Sequence, residues 1–314
     1  MTLPEETEIT VWGPTQSGKD WLYRGFVKAL EEYTHKSEDF DFKLQKKHPT
    51  DKDFTLVRVE PPDGIVPTSA GEDYIHVFSR KPKLARSNDD KLKISAYTHY
   101  INFHNNRGSD LVAALLDPER FETALLPVKR SPYILVILDP NFEQSEALSL
   151  SAEDIEEYPE MALKPGLTKA QYYEILTILL ETLANEKIPN RQVAVCITKT
   201  DMLKISSNDT WYLLERVFGQ RIQRLFYNYK SIFNIEVFAT SAAGYVVKRG
   251  KFEANFSDGK LLDQENWNPV NCAAPFFWMF QKKEIEQIKK NSNFLNKESN
   301  LRSYVRYPSP LRNF

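Results

Sequence analysis

The chain has 314 residues, 41% of them apolar and 12% aromatic. It can bury a substantial core as one large or two ordinary domains, which excludes a disordered chain. A net charge near −2 excludes a global pull towards nucleic acid or anionic membrane. Two cysteines, Cys196 and Cys272, exclude a disulfide framework and are not spaced as a zinc site. The opening residues, MTLPEETEIT, lack the basic and apolar regions of a signal peptide. No stretch approaches the ~20 apolar residues of a membrane span, so a soluble cytoplasmic protein is expected.

In chain order, EITVW (8–12) alternates as a short strand and runs into WGPTQSGKDW (12–21). The next segment, 20–33, carries Leu22, Phe26 and Leu30 at helical spacing. Residues 34–53 are charged and read as loop, FTLVRVE (54–60) as a strand, and 61–73 as a long turn-rich loop. YIHVFSR (74–80) and LKISAYTHYINFHN (92–105) alternate and are expected to pair as antiparallel strands. A helix-like stretch over 110–126 contains Pro118, where a second helix should start. YILVILD (133–139) is an uninterrupted apolar run, as in a strand covered on both faces.

An acidic insert at about 141–167 precedes an amphipathic helix over 168–187. RQVAVCITKTD (191–201) is another buried strand, 210–229 is mostly helical, IEVFATSAAG (235–244) is a further strand, and 275–290 a closing helix. Strands alternate with helices throughout. That order calls for a mostly parallel central sheet with helices on both faces, one antiparallel edge strand, and ligand at the carboxyl ends of the strands. The expected organisation is one domain over 1–290, with the insert at about 141–167, and a basic, aromatic tail over 291–314.

Three strand ends carry chemistry. Gly13, Pro14, Thr15, Gln16, Ser17, Gly18 and Lys19 fit G-x-x-x-x-G-K between a strand and a helix. In that context glycines let backbone N–H groups approach phosphates and the lysine reaches the β- and γ-phosphates. The next residue, ordinarily a Ser or Thr hydroxyl on Mg²⁺, is Asp20. Thr198, Lys199, Thr200 and Asp201 end the 191–201 strand, and Ser241, Ala242 and Ala243 end the 235–244 strand. Each motif alone also suits an ordinary strand-end turn.

Taken together and in this order, the motifs resemble a P-loop GTPase of the translation-factor/Ras-like class, over about residues 8–290. The resemblance implies a Ras-like α/β fold, GTP or GDP with Mg²⁺ as cofactors, and a role as a molecular switch or regulatory subunit. It implies that Asp201 accepts from guanine N1–H and the exocyclic amine, that the Lys199 stem covers a face of the base, and that a backbone N–H of the Ser241–Ala243 loop meets guanine O6. Thr198 stands where Asn is commoner.

The family's D-x-x-G maps onto Asn105 and Gly108, so its carboxylate is missing while Asp20 adds one in the loop. The two departures suggest either a relocated metal ligand or a weakened site. Thr68 is the best-placed switch threonine and a further metal-ligand candidate, ahead of Thr50 and Thr55. Ser109 replaces the water-orienting Gln, leaving Arg107 or His104 as nearby candidates for transition-state charge, so hydrolysis should be weak or partner-dependent. Two other readings stay open. One is a P-loop ATPase with Asp139 as Walker-B acid, and the other a catalytically inactive scaffold. A protein partner is expected at the switch loops, the insert or the tail, and no nucleic acid.

Overall fold

The computed structural model describes residues 7–14, 17–36, 40–47, 53, 55–59, 61, 75–82, 97–105, 118–140, 167–203, 209–248, 250–257 and 260–281. Of the insert expected at about 141–167 all but Leu167 lies outside these residues, as does the 291–314 tail. Eight strands form the main sheet: β1 (Thr7–Trp12), β2 (Phe40–Lys47), β3 (Thr55–Leu56), β4 (Ile75–Pro82), β5 (Tyr97–Asn105), β6 (Tyr133–Leu138), β7 (Gln192–Ile197) and β8 (Asn234–Ala239). Their order is β3-β2-β4-β5-β1-β6-β7-β8. Strands β5, β1, β6, β7 and β8 run parallel, whereas β4, β2 and β3 join through antiparallel pairings. The chain has the expected α/β Ras-like P-loop fold, with an antiparallel edge longer than one strand. The expected β4–β5 pairing is present.

Among the described residues the strands are flanked by α1 (Lys19–Lys36), α2 (Pro118–Arg130), α3 (Lys169–Asn185), α4 (Thr210–Phe218), α5 (Gln220–Tyr229) and a helical stretch over 274–281. Pro118 opens α2, where its missing N–H costs nothing. Thr168 and Gln171 close a capping box on α3. The 210–229 stretch is two helices because Gly219, at φ +93°, breaks it.

Period-two alternation in β6 divides the core between two faces. Ile134, Val136 and Leu138 pack with α2, α3, α4 and α5, while Leu135 and Ile137 pack with α1 and the helical residues 274–281. The second face is aromatic: Phe276 stacks on Phe26 at 4.1 Å and Phe280 on Phe78 at 4.6 Å between centroids. No helix among the described residues is long and apolar enough to cross a membrane.

After β1 the chain builds the β5 side of the sheet, then crosses to β6 on the other side. The strand order therefore reverses at β1, which opens a crevice at the carboxyl ends of β1 and β6, the position where open α/β sheets bind ligands.

Candidate nucleotide-binding site

The glycine loop sits at that crevice. A Cβ on Gly13 would lie 2.7 Å from Ile137 Cβ and 2.9 Å from Ser17 Oγ, so only glycine lets the loop pass this close to β6. Gly18 has φ +88°, a left-handed conformation that turns the loop into α1 without a side-chain penalty. Lys19 is buried, and its Nζ donates to Gly13 O at 2.9 Å and Pro14 O at 3.0 Å, so the ammonium is held within the loop. The positive dipole end of α1 lies at this point, which favours an anion there. Asp20 lies in the first turn of α1.

The ends of β7 and β8 are cross-linked to each other and to the loop. Thr198 Oγ1 donates to Ser17 O at 2.7 Å and to Leu138 O at 3.2 Å. Lys199 adopts a left-handed φ of +53° and leads into a 3-10 turn, Thr200–Met202. Thr200 donates through both N–H and Oγ1–H to Thr240 O, at 3.2 and 3.0 Å. Ser241 Oγ donates to Asp201 Oδ1 at 2.6 Å and accepts the Gly244 N–H at 2.8 Å. Burial raises the Asp201 carboxyl above the usual carboxylate range, opposed by the Ser241 hydrogen bond and by Lys199. The Lys199 ammonium also donates to Asp139 Oδ2 at 2.7 Å, from the residue that follows β6.

Described residues between 245 and 273, where the sequence predicts no element, buttress the Ser241–Ala243 loop. Ser241 and Val270 exchange backbone hydrogen bonds at 3.0 and 2.7 Å. Trp267 Nε1 donates to Ala242 O at 2.7 Å, and Asn255 Nδ2 to Ala243 O at 3.3 Å. Gly244, at φ +76°, lies so close to Asn268 that a Cβ would meet its carbonyl oxygen at 2.1 Å. Ala243, Leu261 and Trp267 form a small cluster with Trp21, which meets Phe256 edge-on at 5.3 Å. The cluster ties the helix bearing Lys19 to the loop bearing Ser241.

Solved structures offer distant likenesses. The G domain of the T. maritima FeoB iron transporter is 13% identical, over 76% of this chain and 89% of that one, with TM-score 0.31. The signal recognition particle receptor SRb-GTP/SRX complex from Chaetomium thermophilum is 16% identical, over 79% and 95%, with TM-score 0.36. The Arl6 BBS3 small GTPase from Trypanosoma brucei with bound nucleotide analogue GppNp is 8% identical, over 76% and 88%, with TM-score 0.35. No protein-family model matches the sequence, and no curated protein does. At such low TM-scores, function rests on the chain's own residues.

Gly13, Pro14, Ser17, Gly18, Lys19, Asp20, Thr198, Lys199, Asp201, Ser241, Ala242 and Ala243 thus lie along one edge, at the ends of β1, β7 and β8. Thr15, Gln16, Thr68, Arg107 and Gly108 fall outside the described residues. Asn105 ends β5 with its backbone beside Val11, so it lies next to the strand that feeds the loop. Among the described residues no group of three or more His, Cys, Asp or Glu is arranged to hold a metal ion. Mg²⁺ at phosphates needs only one or two protein carboxylates, the rest being phosphate and water oxygens. Asp20, in the first turn of α1, is an oxygen donor of the kind Mg²⁺ takes.

Proposed function

We propose that this chain binds a guanine nucleotide along the carboxyl edge of its sheet and acts as a GTPase-like molecular switch or regulatory subunit. In this reading it is of the translation-factor/Ras-like class, with weak or partner-dependent hydrolysis. The observation that carries the reading is the Ser241–Asp201 hydrogen bond of 2.6 Å. It holds a carboxylate at the β7 end while Thr198 ties the same strand end to Ser17 of the glycine loop. An adenine, lacking the 2-amino group and the N1–H, offers the remaining lone pairs of that carboxylate no donor on the edge it would face.

In the roles proposed here, the loop N–H groups and Lys19 hold the phosphates, Asp201 reads the base, and the Ser241–Ala243 loop supports it. Mg²⁺, when bound, neutralises phosphate charge, with Asp20 as its protein ligand, beside Thr68 and Asn105. Arg107 and Gly108 would serve the switch side. Ser109 in place of the water-orienting Gln removes a positioning group on which phosphoryl transfer depends, hence the slow or assisted hydrolysis. The ion pair between Asp139 and Lys199 favours this assignment over an ATPase with Asp139 as metal acid. The proposed cytoplasmic domain spans 1–290, and protein partners would meet the switch loops, the insert at about 141–167 or the 291–314 tail.

The test is titration of the nucleotide-free protein with labelled GTP, GDP and ATP, in Mg²⁺ and in EDTA. Guanine preference lost in Asp201→Ala supports the reading. Preference for ATP turns it to an ATPase, and binding of none leaves a scaffold.

A further inference from the structure

Asp139 has no part in the scheme above, yet it is placed between its two halves. The sheet order β1-β6-β7-β8 puts the glycine loop, Asp139, Lys199–Asp201 and Ser241 in a row along one edge. A nucleotide with phosphates at β1 and base at β7 and β8 must pass over the end of β6. Lys199 leaves the end of β7 and its ammonium reaches Asp139 Oδ2 at 2.7 Å, so its aliphatic stem spans the gap between β7 and β6.

Asp139 is itself anchored: its N–H donates to the hydroxyl of the buried Tyr172 at 3.1 Å. The side chains of Lys199 and Asp139 are only 30% and 11% exposed, so the pair is shielded from the screening that weakens surface ion pairs.

We infer that Asp139 is a positioning residue for base recognition, holding the Lys199 stem as a preformed floor beneath the base. A free lysine has substantial rotamer entropy to lose when ordered. Tethering to Asp139 removes most of that freedom before the nucleotide arrives, so less is lost on binding. The inference rests on the nucleotide reading above and adds to it a residue that touches neither phosphate nor the base edge.

The experiment is calorimetric titration of wild type, Asp139→Asn, Asp139→Glu and Lys199→Met with GDP and with inorganic pyrophosphate, each in Mg²⁺ and in EDTA. Near-ultraviolet circular dichroism checks that each variant folds. Asp139→Asn is expected to weaken GDP about tenfold and leave pyrophosphate unchanged, because pyrophosphate has no base to support. Asp139→Glu, which keeps the charge, should recover most of the loss. Lys199→Met keeps a stem without the tether and should match Asp139→Asn; it carries the test if Asp139→Asn fails to fold.

Unchanged GDP binding in the variants overturns the inference. So does equal weakening of GDP and pyrophosphate, or weakening in Mg²⁺ alone, since Asp139 would then serve the phosphates or the metal. A wild type that takes pyrophosphate but not GDP defeats the guanine reading, and one that takes neither defeats nucleotide binding. The inference falls with either.

Discussion

The two halves of the candidate site are built differently. At the ends of β7 and β8, polar side chains hold one another: Ser241 on Asp201, Thr200 on Thr240, Trp267 on Ala242, Lys199 on Asp139. At the ends of β1 and β5, the loop is shaped by glycines and by Lys19 on its own carbonyls, and Asp20 is the nearby carboxylate. In the proposed reading the first half is preorganised to discriminate a base. The second, which among the described residues offers positive potential and few fixed ligands, suits phosphate binding better than fast phosphoryl transfer.

The sharpest way to break the first half is Gly244→Ala. A Cβ there has no room and the backbone is left-handed, so the Ser241–Ala243 loop must move. Strain and clash together should cost about 3 kcal/mol or more, read as a fall in denaturation midpoint together with loss of guanine preference. Asp201→Ala should come next, weakening GDP about 100-fold (~2.7 kcal/mol) with little change in pyrophosphate affinity. Both effects belong to the base half and should leave the glycine loop working.

Acid tests the same carboxylate in the wild type. Since burial raises the Asp201 pKa in the folded state, its protonated form favours the folded, unliganded protein. That contribution is fully present below the unfolded pKa and is lost as pH rises through the folded one. Guanine binding has the opposite sign, because it needs the carboxylate. GDP affinity should fall as pH drops through the raised pKa, while the Asp201 contribution to unliganded stability grows; parallel titrations and melts would separate the two.

In the other half, Asp20→Ala should cut the Mg²⁺-dependent gain in GTP affinity about tenfold, ~1.4 kcal/mol, and leave affinity in EDTA unchanged or slightly raised. The smallest effect concerns Ser17. Its buried hydroxyl has no hydrogen-bond partner among the described residues, so Ser17→Ala should be neutral or stabilise by up to about 1 kcal/mol. Thermal denaturation of the unliganded variant checks this.

The same contrast governs what the sequence makes legible. Strands β6 and β7 are apolar on both faces, so YILVIL and QVAVCI announce themselves, and the three motifs are local in the chain. Strand β2 lies in a stretch whose charge predicts loop, because Lys43, Lys46 and Lys47 mask an alternation in which Phe42 and Leu44 turn inward. FTLVRVE yields only the two-residue β3 because its Val57 turns into the core from irregular backbone. The links that organise the base half are long-range. Trp267 on Ala242 and Lys199 on Asp139 are 25 and 60 residues apart, and no pattern within a window of sequence contains them. Asp139 was visible only as an acid at a strand end, which suited a metal role as well as an ion pair.

The aromatic seam between the first helix and the last described one has a consequence during synthesis. Phe26, Phe42 and Phe78 emerge early, but the rings that cover them, Phe276, Phe277 and Phe280, come near the end of the described chain. At about 5–20 residues per second, a nascent Phe26 waits on the order of tens of seconds for its partner. Over that interval the nascent chain carries a sheet face covered by α1 but not by its closing aromatic rings. A chain that terminates before residue 274 would leave Phe26, Phe42 and Phe78 without their covering rings permanently, and would be a substrate for chaperones and proteases rather than a smaller working domain.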